Sequence, residues 1–60
     1  MNNRDFKIYW GIRKLKSATN AGDSLSYFLQ GCLDSGITQQ RLDRLIDKVN
    51  KDIKEKYIPM

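Results

Sequence analysis

Few side chains in this 60-residue sequence could carry covalent or acid–base chemistry. There is no histidine, and Cys32 is the one thiol. Without an imidazole, a carboxylate or lysine would need a strongly shifted pKa to act near neutrality. Such a shift requires burial, yet periodicity assigns the acids to faces that look to water. A zinc site needs several nitrogen or sulfur ligands, and the four glycines are scattered rather than gathered into a phosphate loop. A chain this short also has little room for a substrate pocket. The expectation is a non-catalytic protein with no catalytic residue, metal, cofactor or small-molecule substrate.

Binding chemistry is better represented. At about 100° per residue, Phe6 and Trp10 fall together one turn apart, nearly opposite Ile8, Ile12 and Leu15, with Arg13 beside them. A short helix cannot easily bury both faces in one core. Tryptophan, other aromatics and arginine are enriched at interface hot spots, and such rings accept cation–π contacts. Phe6, Lys7, Trp10, Arg13 and Lys14 are therefore the expected partner-binding residues, for a protein partner or a second copy of the chain.

A second candidate surface starts at Gln39-Gln40-Arg41 and continues to Arg44. Glutamine and arginine read adenine and guanine edges in the major groove. Here they open the second helix of an elbow, where a helix-turn-helix places its reading side chains. Cys32, Gly36, Ile37, Leu42 and Leu45 resemble the small, glycine and apolar positions of that DNA-binding motif. Gly31 and Ser35 depart from it where apolar packing residues are usual. Further along, Asp47–Lys51 and Lys48–Asp52 at i, i+4 describe a salt-bridged face in water rather than a phosphate stripe. Nucleic acid is the alternative partner, with Gln39, Gln40, Arg41 and Arg44 as readers.

Gln39-Gln40-Arg41-Leu42-Asp43-Arg44-Leu45-Ile46 also resembles the Ser-Gln-x-Leu-Asp-x-Leu-Ile signature of small aspartyl-phosphate phosphatases that control sporulation. That resemblance would imply a catalytic Asp43. It covers eight residues, Gln39 stands at the serine, and the family's first helix and longer loop do not align. An amphipathic helix produces Leu-Asp-x-Leu-Ile by its own periodicity, so no catalytic role is expected for Asp43.

These residues need helices to position them. Ser35-Gly36-Ile37-Thr38 ends one helix and starts another within four residues. Gly36 can take the left-handed conformation that closes a helix, and Thr38 can cap the next. Ile37 and Leu42 have the spacing of a hydrophobic staple. Upstream, Leu25, Phe28, Leu29, Cys32 and Leu33 repeat at helical spacing, with Asp23 or Ser24 as a cap. Downstream, Leu42, Leu45, Ile46, Val49, Ile53 and Tyr57 form one stripe, which Pro59 ends at about Tyr57. The first segment is ambiguous. Asn2 or Asn3 could cap a helix with Ile8, Ile12 and Leu15 inward, but Phe6, Ile8, Trp10 and Ile12 also alternate as in a strand. Gly11 costs a helix roughly 1 kcal/mol, and a lone strand would leave its backbone groups unpaired. Helix is favoured.

The expected architecture is one all-α domain over residues 1–60, with helices at about 3–17, 24–35 and 38–57 and an elbow at Gly36. A linker-like stretch runs from Ser17 to Asp23. The expected core comprises Ile12, Leu15, Leu25, Phe28, Leu29, Cys32, Leu33, Ile37, Leu42, Leu45, Ile46, Val49 and Ile53. So small a core rarely supplies more than about 3–5 kcal/mol unaided, which makes a homodimer plausible. The net charge is +4, and the excess sits on the first twenty residues, where five bases face Asp5 alone. No apolar run is long enough for a membrane span or signal-peptide core. A lone thiol then points to the cytoplasm, with Cys32 as a small core residue. The whole reads as a small non-catalytic regulator or inhibitor acting through protein–protein contacts, or alternatively as a DNA-binding regulator.

Overall fold

Asn2 starts the first helix by capping it: its side chain accepts from the Asp5 N–H at 2.8 Å, which satisfies an otherwise orphaned donor. The computed structural model describes residues 2–18 and 22–59, and within them the chain is all-helical. Helix α1 spans Asn3–Ser17, α2 spans Gly22–Asp34 and α3 spans Gln39–Glu55. The ambiguous stretch Phe6–Ile12 is thus helix, and no strand occurs among the described residues. Of the expected Ser17–Asp23 linker, Ser17 belongs to α1, Gly22 and Asp23 belong to α2, and residues 19–21 lie outside the described residues.

The elbow follows from its four residues. Gly36 has φ +99°; its N–H donates to the Leu33 carbonyl at 3.0 Å, and the Ile37 N–H donates to that of Cys32 at 3.1 Å. This is the Schellman closure, and its apolar partners Ile37 and Cys32 are both buried. Thr38 caps α3 through its hydroxyl, which accepts from the Arg41 N–H at 3.2 Å. The staple residues Ile37 and Leu42 are 5% and 1% exposed.

Two helix ends differ from the sequence reading by two residues. Helix α2 begins at Gly22, so Asp23 and Ser24 lie in its first turn rather than capping it. Helix α3 stops at Glu55, short of Tyr57, because Lys56 takes a left-handed conformation at φ 57°. There the Lys56 N–H donates to Ile53 and the Tyr57 N–H to Asp52, a second Schellman closure that acts before Pro59 is reached.

Helix α1 packs against both others, while α2 and α3 meet little beyond the elbow. The result is a slab of 30 × 28 × 17 Å. Its core is Ile8, Tyr9, Ile12, Cys32, Ile37, Leu42, Leu45 and Val49, edged by half-buried Leu25, Phe28, Leu29, Leu33, Ile46 and Trp10. Leu15 is half-buried as well. Two assignments are overturned. Ile53 is 40% exposed, and the buried member of that turn is Asp52 at 3%. Helix α1 presents Tyr9 to the Leu45–Val49–Asp52 side of α3, and Ile53, one residue and about 100° further round, is left outside.

Two polar ties hold α1 over the elbow. Arg4 donates to the Ser35 carbonyl at 3.2 Å, and Asp5 pairs with Arg41 at 2.6 Å. At the other end, the Tyr9 hydroxyl donates to Asp52 Oδ2 at 2.6 Å and accepts from Arg13 Nη1 at 2.8 Å. Arg13 also donates to the Tyr57 carbonyl, so the loop that follows α3 is tied back to α1.

Candidate protein-docking face

The expected binding residues of α1 separate into two groups. Phe6, Lys7, Trp10 and Lys14 line one open depression of about 480 Å³ on the outer side of α1, with Gly11 at its edge. Arg13 is held inward by its bonds to Tyr9 and Tyr57, and its guanidinium lies 5.3 Å from the Trp10 ring centroid. That stacking fixes the indole. Phe6 and Trp10 are half-buried rather than a freely exposed pair. Trp10 meets Tyr9 edge-to-face at 5.6 Å and Phe6 at 6.3 Å, so the three rings form one cluster whose Phe6 and Trp10 members remain partly exposed.

Lys7 also borders a second depression of about 370 Å³ between α1 and α2. Its apolar floor includes Ile8, Phe28, Cys32 and Ile37, and Arg4 stands at its rim. Gly11 lets α2 approach α1 closely beside these depressions. A Cβ at residue 11 would sit 2.5 to 3.2 Å from three atoms of the Phe28 ring, so the bare glycine is what lets that ring lie against α1. Sequence reasoning counted Gly11 only as a cost to the helix, and it missed Arg4, Tyr27 and Phe28 as members of this face. The available signal was a glycine inside α1 paired with an aromatic on α2.

The face is one-signed where it matters. Arg4, Lys7 and Lys14 border the two depressions, and no acid lines either among the described residues. The cationic stretch ends at Tyr27, beyond which Asp23 lines a separate depression. Tyr27 is 79% exposed.

The proposed DNA readers are less free. Arg41 is engaged by Asp5, and Gln39 donates to Asp43 Oδ1 at 2.9 Å; Gln40 and Arg44 are exposed. Asp43 itself lies on the exposed side of α3 with Gln39 as its partner.

Groups with shifted pKa values lie within the fold. Burial pushes the Cys32 thiol up, against a smaller opposing pull from Arg4. The Tyr9 hydroxyl holds the Asp52 carboxyl below its ordinary range, against burial and with help from Lys48, whose ammonium is 3.5 Å away. Burial first, and then the bond to Asp52, raises the Tyr9 phenol. Asp52 contradicts the expectation that every acid faces water, and its pair with Lys48 is only half solvated. The cluster keeps an anion charged and a phenol neutral, and each shift moves its group away from neutral pH.

Among the described residues no group of three or more Cys, Asp or Glu is placed to hold a metal, and no helix is long and apolar enough to cross a membrane. No family model matches the chain, and no curated protein or solved structure matches it significantly.

Proposed function

We propose that this chain is a small non-catalytic regulatory or inhibitory protein that works by occupying a partner protein through the α1–α2 face. The observation that carries this reading is Lys7, which borders two apolar depressions at once and so joins them into one cation-rimmed surface. Aromatic anchors beside cations are the composition of interface hot spots. The reading is supported from the other direction by the polar groups of the interior: the buried acid is committed to Tyr9 and Lys48, and the thiol is kept protonated by burial. A lone, buried Cys32 suits a cytoplasmic protein. DNA reading has less support, because two of its four side chains have partners within the fold.

A photo-crosslinking amino acid tests the proposal. Placed at Lys14 on the docking face, it should yield a discrete protein adduct in the native host; placed at exposed Lys51 on α3, it should not. An adduct of twice the chain's mass would identify the partner as a second copy. No adduct from position 14, or equal adducts from both positions, would refute the reading.

A further inference from the structure

The occupant of this face can be named by its chemistry. Resting on the protein-docking reading, we infer that the α1–α2 face takes an acidic amphipathic helix: two apolar anchors enter the two depressions, and carboxylates between and beside them meet Lys7, Arg4 and Lys14.

Three features of the face select that occupant. First, each depression has an apolar floor, Phe28 with Ile37 in one and Phe6 with Trp10 in the other. Floors of this kind accept side chains of leucine size and release their hydration. Second, the dividing residue is Lys7, which is exposed. A carboxylate set between two anchors on a helix can reach it, whereas a like-charged ligand would be repelled. Third, the two depressions are shallow and adjoin at Lys7, so an elongated ligand can cover both. An apolar helix face laid across them does so at once, whereas a phosphate backbone needs cations without apolar patches between them.

Trp10 is the one tryptophan in the chain and lines the face, so its fluorescence reports occupancy directly. The protein is titrated with a synthetic leucine–glutamate helical peptide of about 15 residues, long enough to hold a helix. A leucine–lysine peptide of the same pattern, polyglutamate, duplex DNA and phosphatidylserine vesicles are run in parallel. The leucine–glutamate peptide should shift the emission saturably, and its affinity should fall with salt. Lys7→Glu and, separately, Lys14→Glu should weaken it about tenfold or more while circular dichroism stays unchanged; both positions are exposed, so the fold tolerates the change. Equal binding of the leucine–lysine peptide or of polyglutamate would overturn the inference. So would tighter binding of DNA or vesicles, no saturable shift, or full affinity in both variants. If the position-14 crosslinker still captures a discrete partner while the leucine–glutamate peptide fails to bind, the docking reading stands and this assignment of the partner falls.

Discussion

The Tyr9 hydroxyl and the Asp52 carboxylate meet at 2.6 Å across 43 residues of sequence, in a site where both residues are buried. A phenol that also accepts from Arg13 uses its oxygen in both directions, so three side chains on two helices depend on one another's positions. A buried polar pair of this kind specifies register: α1 cannot slide or rotate against α3 without leaving an oxygen unpaired. The apolar part of the core would tolerate such a shift more readily.

Tyr9→Phe keeps the ring and deletes the donor. It should destabilise the fold by about 1–3 kcal/mol, because a buried acceptor loses its partner. Urea unfolding followed by circular dichroism measures this. In the Asp52→Asn background the same substitution should cost a different amount, since contacting residues couple. Strict additivity of the two changes would mean that the bond does not contribute.

Stability should fall at both ends of the pH scale. Asp52 has a lowered native pKa, so its contribution is complete above the usual aspartate value of about 3.9 and is lost as pH drops through the lower native value. Tyr9 has a raised pKa, so its contribution is complete below about pH 10 and is lost as pH rises through the higher native value. Melting midpoints from about pH 2 to pH 11 should form a plateau between these limits. Asp52→Asn should flatten the acid flank, and Tyr9→Phe the alkaline one. Wild-type flanks in both variants would contradict the assignment.

Gly11→Ala sets helix propensity, worth roughly 1 kcal/mol in favour of alanine, against the Phe28 ring that must move aside. The substitution should therefore be more favourable in a Phe28→Ala background than in wild type. If thermal melts give the same effect in both backgrounds, Phe28 does not rest on Gly11.

The two left-handed closures should respond oppositely. Lys56 adopts φ 57° without being glycine, so Lys56→Gly should remove backbone strain and stabilise by about 0.5–1 kcal/mol after glycine's own entropic cost. That is roughly 2–8 °C in melting midpoint for a domain this size. Gly36 has open space where a Cβ would project, so Gly36→Val tests backbone strain alone and should cost about 1–2 kcal/mol. Gly36→Asn should cost less, because asparagine tolerates this region. A valine variant that melts with wild type would remove the elbow argument.

The elbow was legible because its information is local: a glycine, an apolar residue and a threonine in consecutive positions define closure, staple and cap. Helix α1 matched its expected bounds for a similar reason, with Asn2 at its start. The Tyr9–Asp52 pair was hidden because periodicity sorts residues by polarity, which places Asp52 toward water. Its position told otherwise: Asp52 follows Leu45 and Val49 at the spacing of the buried stripe, while Ile53 lies off its centre. The proposed docking face was half legible. Phe6, Lys7, Trp10 and Lys14 share one side of α1 by spacing alone, but the contribution of α2 required knowing that Gly11 admits Phe28.

Because α1 is the helix both others pack on, the order of synthesis bears on how this chain folds. At about 5–20 residues per second, Asp52 leaves the ribosome roughly 2–9 s after Tyr9, whereas a helix forms in about a microsecond. During those seconds the Tyr9 side of α1 has no α3 to pack against. Until α3 arrives, the register that Tyr9 and Asp52 set is not yet fixed.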